Sequence, residues 1–182
     1  GSKLSKYRAI RDPKKTPEPF TSKDIDSKKL MFVVQKHQAT ALHYDFRLEV
    51  KGAMPSWAVP KGPSLDPTVK RLAMQTEDHP TDYRRFEGKI PEGQYGAGTV
   101  MIWDYGTYFA EKEEGGKRVM IKDKKSGDAQ MQQGVKKGEL KFTLLGKKLK
   151  GSFALIKTRG FGGKNAWLLI KHKDKFTKVG YD

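Results

Sequence analysis

Cysteine is absent from this chain of 182 residues. Its absence excludes disulfides, thiolate zinc sites and cysteine nucleophiles, so any metal site must use histidine, carboxylate and water ligands. Such ligands suit Mn²⁺, Mg²⁺ or Zn²⁺ better than a soft ion. Long apolar runs are also missing: none approaches the roughly 18 residues that span a bilayer, and no signal-peptide segment follows the basic start. We therefore expect a cytoplasmic protein with no membrane partner.

Negative charge is also scarce. The chain has 37 Lys and Arg but only 21 Asp and Glu, which gives a formal net charge of +16. Residues 111–182 carry +11 of this excess, whereas residues 1–110 hold three of the four histidines. A basic half beside a half with histidines and carboxylates is typical of an enzyme that holds nucleic acid and cuts it. The alternative is that the excess lysine only keeps the protein soluble.

The chain divides into a polar N-terminal arm and a longer region of short strands. Residues 1–29 have little hydrophobic periodicity and predict an extended arm, of which Gly1 and Ser2 resemble an expression-tag remnant. The predicted strands are 30–35, 43–50, 56–59, 71–76, 98–103, 119–122, 139–144, 149–157 and 166–172. A helical turn is predicted after Pro80 and a short helix around 128–133. Without strand–helix alternation, this pattern favours a mainly β fold, a barrel or a sandwich, and we expect a single antiparallel β-barrel over residues 30–182 with short flanking helices.

The strand predicted at 43–50 carries the densest set of reactive groups. Since residues i, i+2 and i+4 of a strand share a face, His43, Asp45 and Arg47 should project together. His43 and Asp45 could hold one divalent ion, with His37 completing the set from the preceding loop. Arg47 would present its guanidinium to a phosphate oxygen, and a metal beside an arginine is what phosphoryl transfer requires. The alternative is a solvated polar strand face.

A second cluster surrounds His79. Pro80 biases His79 towards an extended conformation, and Tyr83 is near enough to share a phosphate with His79 if a helical turn intervenes. The alternatives are a polar loop residue for His79 and a core aromatic for Tyr83. The Gly-rich segment 92–98 lacks the spacing of a nucleotide-binding fingerprint and predicts a tight turn into a strand.

Together these motifs resemble the 3′-phosphoesterase domain of bacterial and archaeal DNA ligase D. The segments that carry the resemblance are FVVQKH (32–37), LHYDFRLE (42–49), SWAVPKGPS (56–64), QTEDHP (75–80), IPEG (90–93), YGAG (95–98) and AWLLIK (166–171). The match is dense over residues 30–104 and patchy over residues 111–164. No polymerase or ligase region follows, so the chain is expected to be an excised module or a standalone member.

The resemblance implies a role for each matching residue. A β-barrel in this family carries a crescent-shaped groove whose catalysis depends on a divalent ion, preferably Mn²⁺. The implied metal ligands are His37, His43 and Asp45. The residues implied to surround the scissile phosphate are Arg47, His79 and Tyr83, with His79 stabilising a pentacoordinate phosphorus or protonating the leaving oxygen. The residues implied to serve chiefly the diester step, by positioning the nucleoside, are Arg11, Asp12, Glu18 and Glu77.

The activity implied by the resemblance is DNA end healing in non-homologous end joining. Family members remove a 3′-terminal ribonucleoside to leave a 3′-phosphate, and then remove that phosphate to give a ligatable 3′-OH. The implied partners are a DNA primer–template, ligase and polymerase modules and Ku-type end-joining factors, with the protein associated with the nucleoid. Two other hypotheses stay open: a non-catalytic basic β-barrel that binds DNA, and a protein–protein module of a ligase complex. The set of His37, His43, Asp45 and Arg47 favours the enzyme, because mere binding would not need it.

Overall fold

Ten strands form one antiparallel sheet in the computed structural model, which describes residues 4–22 and 28–181. The strands are β1 (Leu30–Gln38), β2 (Leu42–Leu48), β3 (Met54–Val59), β4 (Lys70–His79), β5 (Gly88–Ile90), β6 (Gly98–Glu114), β7 (Lys117–Ile121), β8 (Glu139–Gly146), β9 (Lys150–Lys157) and β10 (Ala166–Lys171). The helices are α1 (Ser5–Ala9) and α2 (Lys124–Lys137), with a 3₁₀ turn at Thr81–Arg85. Within these described ranges, no helix is long and apolar enough to cross a membrane.

Eight of the strands close into a barrel. Their order is β1-β2-β3-β4-β10-β9-β8-β6, and the pairing of β6 with β1 closes the ring. Strands β5 and β7 pair with β6 outside the ring. The predicted antiparallel β-barrel is therefore confirmed, and closure leaves the ring strands without a free edge.

The two faces of the barrel wall are both covered, by different clusters. Alternate residues of all eight ring strands meet in the interior, among them Phe46, Trp57, Phe142 and Trp167. A smaller outer cluster covers the opposite face of part of the wall. Its members are Leu4, Tyr7, Ala53, Tyr83, Phe86, Ile90 and Val100. Side chains of β1 and β2 that point away from the interior are therefore buried as well, beneath the arm and the 3₁₀ turn.

The arm and several elements differ from the sequence prediction. The arm includes the short helix α1, and Tyr7 on that helix is fully buried. Strand β6 continues eleven residues beyond the predicted end at residue 103, because its second half pairs with β7 and β8. The helix predicted at 128–133 is longer, since Asp123 caps its first turn by accepting the Ser126 N–H. The division at residue 29 stays a prediction, and residues 1–3 and 23–27 lie outside the described part of the chain.

Candidate active site

One pocket on the outer face of the barrel collects nearly all the predicted site residues. It has a volume of about 320 Å³ and lies beside β1, β2 and β4. The predicted residues that line it are Arg11, Glu18, His37, His43, Asp45, Arg47, Glu77, His79 and Tyr83. Because Arg11 and Glu18 belong to the arm, the arm forms one wall of the pocket. The solvated polar face considered for β2 is ruled out, since the side chains of Asp45 and Arg47 are only 9% and 3% exposed.

The metal-ligand trio is built from two paired strands. His37 lies in β1, opposite His43 of β2, so its predicted placement in a loop is wrong. His37 Nδ1 is 3.5 Å from Asp45 Oδ2, and His43 Nε2 is 3.3 Å from Asp45 Oδ1. One ligand atom from each residue lies within 4.8 Å of the others, close enough to surround a single ion.

Backbone carbonyls fix which nitrogen of each histidine faces the trio. His37 Nε2 donates to the Gly96 carbonyl at 2.7 Å, and His43 Nδ1 donates to the Ala41 carbonyl at 3.1 Å. The remaining nitrogens, His37 Nδ1 and His43 Nε2, then face each other at 3.1 Å. Two imidazole lone pairs at this separation repel unless a proton or a cation lies between them. Metal-binding histidines are oriented in this way by their second nitrogen.

Electrostatics favour positive charge at this point. The hydrogen bond with Asp45 raises the pKa of His43 despite partial burial. Burial opposes ionisation of Asp45, but Arg47 and the two imidazoles outweigh it and hold the pKa of that carboxyl well below its usual range. An ionised carboxylate beside two imidazoles is a donor set that suits Mn²⁺, Mg²⁺ or Zn²⁺. The residues present therefore fit a divalent ion.

Arg47 lies next to the trio and is held by a buried glutamine. Its Nε donates to Gln35 Oε1 at 2.7 Å, and its Nη2 is 3.4 Å from Asp45 Oδ2. Its guanidinium carbon lies 4.6 Å from the centre of the Tyr83 ring. Gln35 is fully buried and donates to the carbonyls of Tyr83 at 2.7 Å and Phe86 at 3.0 Å. These contacts fix Arg47 between the trio and the 3₁₀ turn.

The surroundings of His79 favour its neutral imidazole. Its Nδ1 donates to the Glu77 carbonyl at 2.9 Å, and its Nε2 lies 3.4 Å from Arg11 Nη2. Burial, together with the charges of Arg47 and Arg11, holds the pKa of His79 well below its ordinary value. The Nε2 lone pair therefore faces the pocket as an acceptor.

Arg11 joins the arm to the barrel. Its Nε donates to Glu18 Oε1 at 3.0 Å and its Nη1 to Glu77 Oε2 at 2.8 Å. Its guanidinium carbon lies 3.9 Å from the centre of the Tyr7 ring and 5.2 Å from that of Tyr95. A guanidinium that donates one charge-assisted bond to each of two carboxylates and lies beside two rings is firmly held.

Two predicted residues are placed differently from the rest. The Tyr83 hydroxyl donates to Glu18 Oε2, and burial raises the pKa of this phenol well above its ordinary value, so its proton is committed to the arm. Asp12 does not line the pocket. Its Oδ1 accepts the Lys14 N–H at 3.0 Å, which shapes the turn after Arg11. Its role in substrate binding stays a prediction.

Sequence reasoning missed two contributors. Gln35 lies in a buried strand whose sequence has no alternation that marks a functional face. The segment 92–98 was correctly predicted to be a turn, but its Gly96 carbonyl orients His37, and its Tyr95 lines the pocket. The glycine at position 98 is a signal in the sequence for this turn. Its φ is +136°, and a Cβ there would lie 2.1 Å from the Gln38 carbonyl oxygen, so the backbone of the turn can approach β1 only at a glycine.

The chain is similar in sequence to one known domain family and to several known proteins. The family described as DNA Ligase D 3′-phosphoesterase domain matches residues 35–157. The chain is 48% identical over 173 residues to the multifunctional non-homologous end joining protein LigD of Pseudomonas aeruginosa, covering 94% of this chain and 19% of that protein. LigD of Mycolicibacterium smegmatis is 44% identical over 175 residues, covering 95% and 21%. The multifunctional non-homologous end joining DNA repair protein LigD of Mycobacterium tuberculosis is 41% identical over 174 residues, covering 95% and 20%.

These matches identify the family and show how much of its relatives the chain covers. The chain spans about a fifth of the length of these relatives. The family match extends over the trio, Arg47, Glu77, His79 and Tyr83, which the fold gathers in one pocket. The resemblance predicted from the motifs is thereby confirmed: the chain belongs to the DNA ligase D 3′-phosphoesterase domain family.

Proposed function

We propose that this chain is a manganese-dependent phosphoesterase that heals DNA 3′ ends for ligation in double-strand break repair. As a phosphodiesterase it removes a 3′-terminal ribonucleoside, and as a phosphomonoesterase it removes the 3′-phosphate that remains. The observation that carries the proposal is the trio of His37, His43 and Asp45 with Arg47 paired to Asp45 at 3.4 Å, in one pocket of a chain that belongs to this family.

The two reactions break different bonds at one phosphorus. In the diester step a water oxygen attacks phosphorus, the bond to O5′ of the terminal nucleoside breaks, and O5′ takes up a proton. In the monoester step the bond to O3′ of the primer breaks, and O3′ takes up the proton. A divalent ion held by the trio would polarise a phosphate oxygen and lower the pKa of a water.

The chain's own residues would supply charge and a proton site. Arg47 binds a phosphate oxygen through the guanidinium N–H groups that Gln35 does not use, and neutralises charge that develops on the phosphorus centre. His79 is neutral without substrate, so it protonates a leaving oxygen only after the negative phosphate has raised its pKa. Glu18 and Glu77 accept hydrogen bonds from the hydroxyls of a terminal ribose, which explains why they would matter most in the diester step.

We infer the substrate and the partners from what the family suggests. The relatives are named as multifunctional end-joining proteins, and this chain corresponds to about a fifth of them. We take the substrate to be a DNA primer–template that ends in a ribonucleotide or a 3′-phosphate, with the net charge of +16 aiding its binding. Ligase and polymerase modules and Ku-type end-joining factors are the proposed protein partners, in the nucleoid.

A manganese-dependent assay on defined 3′ ends tests the proposal. Wild type should convert primer–templates ending in one ribonucleotide, or in a 3′-phosphate, to a 3′-OH in Mn²⁺, and a chelator should stop both reactions. Asp45→Asn should lose at least about 100-fold in rate, with weaker Mn²⁺ binding by calorimetry. Glu113→Gln, at an exposed carboxylate distant from the pocket in the fold, is the matched control. DNA binding without turnover in any divalent ion would instead identify a non-catalytic DNA-binding barrel.

A further inference from the structure

Tyr95 is an aromatic ring that the pocket leaves half in solvent. It lies in the turn before β6 and lines the pocket, yet it is 51% exposed. The other tyrosine of the lining, Tyr83, is 2% exposed and its hydroxyl is bound to Glu18. Large aromatic rings are usually buried, because burial of their apolar surface stabilises the fold. The exposed half of the Tyr95 ring is therefore apolar surface that a ligand entering the pocket could cover.

Contacts hold both the ring and the turn that carries it. Its own backbone neighbour, Gly96, accepts the hydrogen bond from His37, so the turn is tied to the trio. On the other side the Arg11 guanidinium lies 5.2 Å from the ring centre, and Arg11 is itself bound to Glu18 and Glu77. Tyr95 therefore stands between the trio and the two carboxylates, at the mouth of the pocket.

We propose that the Tyr95 ring is the stacking platform for the base of the terminal nucleoside that leaves in the diester step. The inference rests on the proposed function and assigns a nucleobase subsite to a residue with no role in it so far. When the terminal ribose bonds to Glu18 or Glu77, its base extends beyond the sugar towards the pocket mouth. Every base has a π-face, so a tyrosine there accepts any of the four bases.

The platform makes the two reactions differ in one testable respect. In the diester step a base is attached to the departing O5′ side, and in the monoester step nothing lies beyond the phosphate. Stacking of one base on an aromatic side chain contributes a factor of about 5 to 150 in binding. The benefit of Tyr95 should therefore depend on the presence of the terminal base.

The experiment varies the protein and the substrate together. Two primer–templates are compared, one ending in adenosine and one ending in 1,4-anhydroribitol, a stable ribose analogue without a base. For each protein the ratio of kcat/KM on the two ends is measured in Mn²⁺, because this ratio does not depend on the fraction of active enzyme. The variants are Tyr95→Phe, Tyr95→Leu and Tyr95→Ala. The control is Tyr105→Ala, which removes an equally exposed tyrosine on β6 that does not line this pocket.

We expect the preference for the end with a base to depend on an aromatic ring at position 95. Wild type, Tyr95→Phe and Tyr105→Ala should prefer the end with a base by at least about fivefold. Tyr95→Leu and Tyr95→Ala should prefer it less than about twofold, because stacking is lost. The inference is overturned if wild type shows no preference, or if both non-aromatic variants keep it. Absence of cleavage by wild type on every end, including a 3′-phosphate, would instead overturn the proposed function.

Discussion

A buried amide determines where the guanidinium of Arg47 points. Gln35 Oε1 accepts from Arg47 Nε, and both hydrogens of its Nε2 go to backbone carbonyls of the 3₁₀ region. The pairing of β1 with β6 shifts register between Val34 and Gln35. Such bulges re-aim side chains and occur next to active sites. In the proposed mechanism Gln35 would be a positioning residue, since its side chain contacts Arg47 and does not line the pocket.

A double-mutant cycle measures this coupling. Arg47→Ala and Arg47→Lys should each lower the rate of 3′-phosphate removal about 10²–10³-fold in saturating Mn²⁺, because lysine keeps the charge but not the planar fork. Gln35→Leu should lower kcat/KM at least about tenfold in the wild-type background and less than about twofold in Arg47→Lys. Equal losses in both backgrounds would mean that Gln35 only supports the fold. If Arg47→Ala keeps more than about a third of wild-type turnover, Arg47 is no phosphate ligand.

We expect Glu77 to serve chiefly the diester step of the proposed reaction. Its Oε2 accepts from Arg11 Nη1 at 2.8 Å and lies 4.0 Å from His79 Nε2. Glu77→Ala should impair removal of a terminal ribonucleoside at least about tenfold more than removal of a 3′-phosphate. The reason is that only the first substrate has a nucleoside on the O5′ side of the phosphate. Rates on the two ends, measured with the same preparation, check this. Equal loss on both ends would assign Glu77 to the fold or to the metal site.

At the level of elements, the turn between β8 and β9 depends on one carboxylate. Asp104 of β6 is almost fully buried, and its two oxygens accept the N–H groups of Lys147 at 2.8 Å, Lys148 at 3.1 Å and Leu149 at 2.8 Å. Three backbone donors on one buried carboxylate hold this turn against the barrel wall. Charge-assisted bonds of this kind contribute more than neutral ones.

Asp104→Asn should therefore destabilise the barrel by about 2–3 kcal/mol, because an amide offers weaker acceptance and turns an N–H₂ group towards the donors. Urea unfolding monitored by tryptophan fluorescence gives the free energy of unfolding. Asp123→Asn is the matched control: it also removes a carboxylate that accepts a backbone N–H, but at the exposed cap of α2, where asparagine caps equally well. Equal stabilities for the two variants would contradict the proposed importance of the turn.

Strand β2 was predictable from the sequence because apolar residues and candidate site residues alternate along it. Strand β2 alternates Tyr44, Phe46 and Leu48 with His43, Asp45 and Arg47, so both its conformation and its site face follow from a period of two. Strand β1 is buried on both sides and shows no alternation, so the position of His37 could not be derived. The last four residues of β6, 111–114, are charged and resemble a loop, and only their pairing with β7 makes them part of a strand.

For the whole molecule, the positive charge gives a test that separates DNA binding from solubility. The net charge is +16, and each phosphate that Lys or Arg neutralises should add about −0.9 to the slope of log affinity against log salt. We expect anisotropy titrations of a primer–template to show a slope of about −3 or steeper between 50 and 200 mM KCl, corresponding to several phosphate contacts. Hydrolysis of a small phosphomonoester by the same preparation is the control, since it involves no DNA backbone. A slope near zero would support the solubility alternative.

The pocket is shared between two parts of the chain that are not equally anchored. The trio, Arg47 and His79 belong to barrel strands, whereas Arg11 and Glu18 lie on the arm and reach the barrel through Glu77, Tyr83 and the outer cluster. We therefore expect the arm to undock at a smaller cost in free energy than unfolding of the barrel requires. A ligand that touches both parts binds only the docked form, so by linkage it stabilises docking in proportion to its concentration. Nucleoside-bearing ends would therefore close the arm over the pocket more firmly than bare phosphate does, and hydrogen exchange within residues 5–18 would report the difference.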